Sequence, residues 1–222
     1  MAAEKVTERM RKERMKSCTI IGASAICDYD AIRPYVDEGG FVICADGGWK
    51  HAEALGITPD LVVGDFDSAP RPNLPGVEII QHRPEKDDPD MMLALQQALD
   101  RGYRKITLLG GTGGRLDHTF ANFQTLLYAA HHGADARLVD ERNEVLILQN
   151  GSITLPRRED TKLSVFAFSE RAEGVSESGV QYPLDRATLT YGRPLGLSNE
   201  WMAENAQISV ENGTLLIILS KN

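Results

Sequence analysis

The chain has 222 residues, of which 42% are hydrophobic and 25% charged, so it is long enough and apolar enough to fold around a core. Its net charge of −8 argues against a nucleic-acid partner, whose phosphates an acidic surface would repel. No apolar run approaches the roughly 20 residues that cross a bilayer, so we expect no membrane partner.

The N-terminal segment and the cysteines both favour a cytoplasmic protein. Residues 1–16 are charged and lack the apolar stretch of a secretory signal, so we expect them to form a polar arm. The three cysteines, Cys18, Cys27 and Cys44, form no C-x-x-C pair, and their odd number suits a reducing compartment.

Residues 17–140 alternate short apolar runs with helical patterns. Strands are predicted at 18–21, 41–44, 61–63, 77–80, 105–109 and 137–139. Helices are predicted at 29–38, 49–55, 89–101 and 117–131. In the third helix, Asp88 is the expected N-cap and Pro89 the first helical residue. The alternation predicts an α/β domain with a mostly parallel sheet and helices on both faces.

The pattern changes beyond a charged boundary at residues 140–143. Strands are predicted at 145–149, 152–155, 163–168, 187–190, 206–210 and 214–219. Gly, Pro, Asn and Ser separate them, and no helical period appears. We therefore expect an all-β sandwich domain over residues 141–222.

Carboxylates follow several of the predicted strands of the α/β domain. Asp46 follows the second strand, Asp65 and Asp67 follow the third, and Asp90 opens the helix after the fourth. Ligands of open α/β sheets bind beyond the carboxyl ends of the strands, so these side chains are expected to converge. Crowded carboxylates repel one another, and Mg²⁺ removes that penalty. The alternative is a solvated Asx turn, with Asp90 placed against a helix dipole.

A glycine-rich loop at residues 110–114 follows the fifth strand. Its glycines permit close approach, and consecutive amides at a helix N-terminus can cradle phosphate oxygens. The loop is neither a Walker P-loop nor a G-x-G-x-x-G fingerprint, and a tight structural turn is the alternative. Arg83, Lys86 and Arg115 lie beside these segments and can neutralise a polyphosphate.

Taken together, these motifs resemble the thiamine pyrophosphokinase family over about residues 18–220. The matching segments are Ala-Asp-Gly-Gly at 45–48, Gly-Asp-Phe-Asp-Ser at 64–68, Lys-Asp-Asp-Pro-Asp at 86–90, Gly-Gly-Thr-Gly-Gly-Arg-Leu-Asp-His at 110–118 and Leu-Ser-Asn-Glu at 197–200. Their order and spacing are similar to those of the family, and the combination is far more specific than any one segment.

The resemblance implies a catalytic nucleotide-binding α/β domain followed by a thiamine-binding β-sandwich. It implies an enzyme that uses ATP and Mg²⁺ to pyrophosphorylate the hydroxyl of thiamine, with AMP as the second product. It also implies a homodimer, in which thiamine lies between the catalytic domain of one subunit and the sandwich of the other.

The resemblance assigns roles residue by residue. The Mg²⁺ ligands implied are Asp46, Asp65, Asp67 and Asp90, and the catalytic groups are Asp65, Asp67, Asp90 and Lys86. The nucleotide contacts implied are Asp46, Gly47, Gly110, Gly111, Gly113, Gly114, Arg115 and Asp117. Ser198 and Asn199 would contact thiamine from the partner subunit. One departure is Pro89, where the family usually has threonine; it removes a hydroxyl contact but not the carboxylate of Asp90.

Three rival functions remain open. The Asp-x-Asp at Asp65 and Asp67 is also similar to that of haloacid-dehalogenase-type phosphatases, in which the first aspartate is a nucleophile. In those enzymes a later strand ends in an acidic pair, whereas here it ends in glycines. A pterin alcohol is a second possible acceptor, but Ser198, Asn199 and the β domain favour thiamine. A ligand sensor without turnover would not need so many carboxylates near a polyanion.

Overall fold

The computed structural model describes residues 17–66, 71–83 and 88–222. The chain divides into two compact units, the first ending at Glu141 and the second spanning Arg142–Asn222. The predicted N-terminal arm, residues 1–16, lies outside the described residues. Within the described part of the chain, no helix combines the length and the apolar character needed to span a membrane.

The first unit is built on a parallel sheet, as predicted. Its strands are β1 (Ser17–Ile21), β2 (Phe41–Ala45), β3 (Leu61–Gly64), β4 (Glu78–Gln81), β5 (Lys105–Leu109) and β6 (Asp135–Val139). They pair in the order β6-β5-β1-β2-β3-β4, and every pairing in this series is parallel. The α-helices are α1 (Tyr29–Ile32), α2 (Trp49–Leu55), α3 (Asp90–Asp100) and α4 (Leu116–His131).

The helices cover both faces of this sheet. On one face, Ile21 and Leu109 pack with Ala52 and Leu55 of α2 in a buried cluster. Successive side chains of a strand point to opposite faces, so the residues next to Ile21 and Leu109 face the other way. Helix α3 packs against β1, β2 and β3, and its Met91 contributes to the buried core. Helices on both faces were predicted, and the prediction is confirmed.

The end of one helix and the start of another differ from the prediction. The helix predicted at 29–38 ends as an α-helix at Ile32 and continues as a 3-10 turn, Arg33–Tyr35, in which Pro34 lacks an N–H. Asp88 is not the N-cap of α3; Pro89 takes that position with extended backbone. The Asp88 carboxylate instead accepts a hydrogen bond from Gln96 Nε2 at 3.1 Å.

The second unit is an antiparallel β structure. Its strands are β7 (Asn143–Pro156), β8 (Thr161–Ala167), β9 (Arg171–Ser178), β10 (Leu184–Thr190), β11 (Gly196–Asn199) and β12 (Asn205–Lys221). Strand β12 pairs with β7 along most of its length. The first half of β12 also pairs with β9, and its second half with β8. Strands β10 and β11 extend the sheet beside β9 and β8.

Bends in β7 and β12 fold this sheet over one core. The core-facing residues of β12 are Ala206, Ile208, Val210, Leu215, Ile217 and Leu219. Their numbering changes from even to odd across a bulge between Val210 and Thr214, where Gly213 has φ 118°. Asn150, with φ 44° on β7, accepts a hydrogen bond from the Gly213 N–H at 2.9 Å. The breaks predicted near these positions are therefore corners within two long strands.

Candidate active site

A cavity of about 380 Å³ opens at the carboxyl edge of the parallel sheet in the first unit. The loops after β1, β2 and β5 and the first turns of α3 and α4 line it. Asp46, Asp90, Gly110 and Asp117 are the predicted site residues among its lining. They meet because parallel strands bring their carboxyl ends to one edge.

The floor of this cavity depends on a close approach between two glycines. A Cβ on Gly22 would lie 2.6 Å from the Gly110 carbonyl oxygen, and a Cβ on Gly110 would lie 2.5 Å from the Gly22 oxygen. The Ser24 N–H donates to the Gly110 carbonyl at 3.0 Å. The loop after β1 is therefore part of the cavity wall, although no sequence motif pointed to it.

Side chains hold the first half of the glycine-rich loop. Asn122 Nδ2 donates to the Gly111 carbonyl at 2.6 Å, and both atoms are buried. Thr112 Oγ1 donates to Asp140 Oδ2 at 2.7 Å. Asp140 was expected in a charged linker, and the structure makes it an anchor of this loop instead.

The second half of the loop is open. Gly113 and Gly114 have φ 85° and 65°, and a Cβ on either would meet nothing within 4 Å. Left-handed backbone beside open space leaves the amides of this segment accessible to an anion. The fixed first half and the open second half together suit a phosphate-binding loop.

The predicted acidic residues lie on neighbouring strand ends. Asp46 follows β2 in a short 3-10 turn with φ 46°. A Cβ on Gly64, the last residue of β3, would lie 3.0 Å from Asp46 Cα, so Asp65 directly follows a residue in contact with Asp46. Phe66, next along the chain, has φ 60°. Such backbone costs about 1–3 kcal/mol per residue and is concentrated at functional sites.

The metal assignment stays a prediction. Asp67 lies outside the described residues, and so does Lys86. Within residues 17–66, 71–83 and 88–222, no three His, Cys, Asp or Glu side chains are grouped so as to hold a metal ion. Asp46 and Asp90 nevertheless line the same cavity, so two oxygen ligands of the kind that Mg²⁺ prefers are present there.

Arg115 and Asp117 form an exposed ion pair at the start of α4. Two hydrogen bonds, from Nε at 3.1 Å and from a terminal nitrogen at 2.5 Å, join the guanidinium to the carboxylate. The bond from Arg115 lowers the pKa of Asp117 below its ordinary value, and the same bond raises the pKa of Arg115. Gly47, the remaining predicted contact, lies against Ala23 of the loop after β1.

The two residues predicted to contact thiamine have different surroundings in the second unit. Ser198 is exposed, has φ 59°, and donates its N–H to Ser164 Oγ at 3.0 Å. Asn199 is only 5% exposed. Its Oδ1 accepts the N–H groups of Tyr182 and Glu200, each at 3.0 Å, and its Nδ2 donates to the Tyr182 carbonyl at 2.9 Å. Asn199 therefore fastens the loop that precedes β10.

A second cavity, of about 260 Å³, lies beside Asn199. Glu177 of β9, which is 2% exposed, lines it together with the apolar side chains of Leu184 and Leu197. Burial raises the pKa of Glu177 to about 7, although the hydrogen bond from Asn199 opposes the rise. Sequence reasoning missed Glu177 because β9 itself was not predicted.

Fold and cavities together define a class of protein. The first unit is an α/β sheet with an acidic, glycine-lined cavity of the kind that serves phosphorylated substrates, and the second unit is a β structure with a cavity of its own. Residues 32–138 match the family model of the thiamin pyrophosphokinase catalytic domain. Residues 152–215 match the model of the thiamin pyrophosphokinase vitamin B1 binding domain.

Individual relatives agree with these models. The chain is 30% identical over 212 residues to the thiamine pyrophosphokinase of Bacillus subtilis, covering 93% of this chain and 99% of that protein. The crystal structure of the Bacillus subtilis protein superposes with a TM-score of 0.84 at 29% identity, over 93% of this chain and 100% of that one. The Geobacillus thermodenitrificans structure gives 0.82 at 29% identity, over 93% and 98%. The chain belongs to the thiamin pyrophosphokinase family.

Proposed function

We propose that the protein transfers the pyrophosphoryl group of ATP to the hydroxyl of thiamine, giving thiamine pyrophosphate and AMP. The observation that carries this proposal is the cavity at the carboxyl edge of the parallel sheet, where Asp46 and Asp90 face the glycine-rich loop. The family match supports it over both parts of the chain.

The reaction needs alignment more than covalent help. The alcohol oxygen of thiamine attacks the β-phosphorus of ATP, a new O–P bond forms, and the bond from the β-phosphorus to the bridging oxygen of AMP breaks. AMP leaves with the electron pair, and the alcohol proton passes to a carboxylate, for which Asp67 and Asp90 are the candidates. Positioning and charge neutralisation supply most of the rate in such transfers.

Mg²⁺ is the proposed metal because a triphosphate and several carboxylates would otherwise repel each other. Asp46, Asp65 and Asp90, with Asp67, are the proposed ligands. The ion would neutralise phosphate oxygens and stabilise the departing AMP. The backbone at Gly113 and Gly114, which lies beside open space, is proposed to receive phosphate oxygens on its amides.

The remaining residues that we propose lie near the nucleotide contribute charge or allow its close approach. Arg115, which pairs with the cavity-lining Asp117, is proposed to contribute positive charge beside the cavity. Lys86 is proposed to approach the reacting phosphates. Gly47 and Gly111 are proposed to let the backbone approach the nucleotide, and a Cβ on Gly111 would lie 2.7 Å from Leu138 Cδ1.

We also propose that the enzyme is a homodimer with thiamine bound at a shared site. Exposed apolar side chains support an interface on the second unit: Tyr182, Leu195, Leu197 and Met202 are between 50% and 68% exposed. Ser198 is proposed to contact thiamine from this surface, next to Leu197. A cytoplasmic location remains a prediction from the cysteines.

The decisive experiment is incubation with ATP, Mg²⁺ and thiamine, with AMP and thiamine pyrophosphate measured together. Equal amounts of both products support the proposal, and ATP hydrolysis without thiamine pyrophosphate contradicts it. A pterin alcohol in place of thiamine tests the rival acceptor. A phosphoenzyme trapped on Asp65 would instead favour the phosphatase mechanism.

A further inference from the structure

The second cavity contains one carboxyl group whose purpose the fold does not explain. Glu177 shares the interior face of β9 with Val175, and it is 2% exposed. Among the residues that the structure describes, its side chain receives one hydrogen bond, from Asn199 Nδ2 at 3.4 Å. Burying a carboxyl with so little compensation is costly, and a leucine would fill the position at lower cost.

The chemistry of this cavity limits what it can recognise. Its apolar part comes from Leu184, Leu195 and Leu197, which suit the face of a flat ring. Asn199 has used its amide on Tyr182 and Glu200, so it offers little to a ligand. The ionisable groups among the lining residues are the carboxyl of Glu177 and the phenol of Tyr182. At about 260 Å³ the cavity is smaller than the roughly 300 Å³ at which whole-ligand pockets begin, so it fits one ring.

We propose that Glu177 is a specificity residue for the acceptor substrate, and that its carboxyl reads the edge of an amino-substituted pyrimidine ring. This inference rests on the proposed function. An aminopyrimidine presents a ring nitrogen that accepts a hydrogen bond beside an amino group that donates one. A protonated carboxyl presents the complementary pair, an O–H donor and a C=O acceptor. Asn199 is then a positioning residue, because its Nδ2 donates a hydrogen bond to Glu177 Oε2.

The protonation state agrees with this role. Burial raises the pKa of Glu177 to about 7, so the protonated form is well populated near neutral pH. A ring that offers an acceptor and a donor stabilises that form further. The hydrogen bond from Asn199 Nδ2 to Oε2 favours Oε2 as the carbonyl oxygen and Oε1 as the hydroxyl, so the carboxyl presents its donor and acceptor in one order. A ligand with the opposite order would have to reverse this arrangement, and that cost allows discrimination.

The test compares Glu177→Leu and Glu177→Gln with the wild-type enzyme. Leucine removes both hydrogen-bonding groups, whereas glutamine keeps one donor and one acceptor side by side. We expect Glu177→Leu to raise the KM for thiamine at least about tenfold, with the KM for ATP unchanged. Glu177→Gln should stay within about threefold of wild type for both substrates. Glu173→Leu, an exposed position on the same strand, is the matched control.

Oxythiamine, in which an oxo group replaces the amino group, is the second probe. Wild type should bind thiamine as substrate more tightly than it binds oxythiamine, tested as an alternative substrate or as an inhibitor. Glu177→Leu should lose most of that difference in affinity. A purely structural role would weaken both ligands equally, and that result overturns the inference. So does a Glu177→Gln variant as impaired as Glu177→Leu, because the negative charge would then be the recognised feature.

The same assays separate this inference from the proposed function. Thiamine pyrophosphate formation by wild type, together with an unchanged KM for thiamine in Glu177→Leu, overturns the role of Glu177 alone. Absence of thiamine pyrophosphate and of thiamine binding in wild type overturns the function and the inference together.

Discussion

Asp90 is the first residue of α3 and lines the cavity of the first unit, while Asp100 is the last residue of the same helix and is exposed. Asp90→Asn keeps the shape and removes the negative charge. We expect kcat/KM for pyrophosphate transfer to fall at least about a hundredfold, since charged groups at the reacting phosphates contribute strongly to the rate. The free energy of unfolding should fall by about 0.3–1 kcal/mol, from the lost interaction with the helix dipole.

Asp100→Asn is the matched control, because it removes the same charge from the other end of the helix. Rates of AMP formation and urea unfolding curves of both variants check the prediction. Full activity in Asp90→Asn would exclude Asp90 as a metal ligand and as a base.

Glu177 also makes the stability of the protein depend on pH. Its ordinary pKa of 4.5 applies to the unfolded chain, and burial raises the pKa to about 7 in the folded one. The folded state therefore holds the proton more tightly. This contribution to stability is complete below pH 4.5 and is lost as the pH rises through about 7.

Glu177→Gln should remove that dependence. At pH 8 we expect the variant to be more stable than wild type by about 1–3 kcal/mol, with a smaller difference at pH 5. Urea unfolding at both pH values measures this, and Glu173→Gln serves as the exposed control on β9. The same difference at both pH values would mean that Glu177 does not titrate in this range.

At the residue scale, the sequence identified side chains whose position follows from topology. Asp46 and Asp90 could be expected to meet because both follow parallel strands. Ser24 and Asn122 also line the cavity, but a small polar residue has no distinctive pattern and neither could be chosen in advance. Asn199 was chosen by its motif, yet the contacts of its amide could be known only from the fold.

The glycine-rich loop is the element that we propose binds the nucleotide phosphates, and side-chain hydrogen bonds hold its first half. Thr112→Val removes the hydrogen bond to Asp140 while it keeps a β-branched side chain. The loop then gains freedom, and that entropy must be lost again on binding. We expect the KM for ATP to rise about three- to tenfold, which corresponds to one lost hydrogen bond, with little change in the KM for thiamine.

Thr125→Val is the matched control, because the Thr125 hydroxyl bonds to Ala121 within α4 and not to the loop. Steady-state kinetics with each substrate varied in turn provide the measurement. An equal rise in both KM values would point to a general disturbance of the fold.

Element prediction succeeded in the first unit and was partial in the second for one physical reason. The inner parallel strands β1, β2, β3 and β5 are apolar runs that are almost wholly buried, so their ends are visible within one or two residues. Strand β9, Arg171–Ser178, is half polar and contains Gly174, so it resembles a loop. The corners at Asn150 and Gly213 resemble turns, although β7 and β12 continue through them.

At the scale of the whole molecule, the presence of both units in one chain supports the proposed reaction. Similarity to the Bacillus subtilis relative extends over 93% of the chain, across both units. The two family models likewise match one unit each, at residues 32–138 and 152–215. The proposed reaction needs a nucleotide site and an acceptor site, and each unit contains a cavity that can serve as one of them. A dimer in which each acceptor site serves the partner's nucleotide site would make either unit inactive by itself.

That arrangement predicts complementation between two inactive variants. Asp90→Asn should inactivate the proposed nucleotide site of the first unit. Ser198→Arg should block the proposed thiamine site of the second unit, and Ser198 is exposed, so no buried contact is disturbed. If thiamine binds between subunits, a mixed dimer contains one site with both defects and one site with neither. Random association gives about half mixed dimers, so co-expression should restore about a quarter of wild-type activity.

Each variant carries a different tag, and the mixed dimer is purified through both tags in sequence. Its AMP-forming activity is compared with that of the two homodimers, whose mass in solution is measured alongside. Activity in the mixed dimer alone requires the acceptor side of one subunit to serve the nucleotide side of the other. An inactive mixed dimer of the correct mass would place each complete site within a single chain, because every chain then carries one of the two defects.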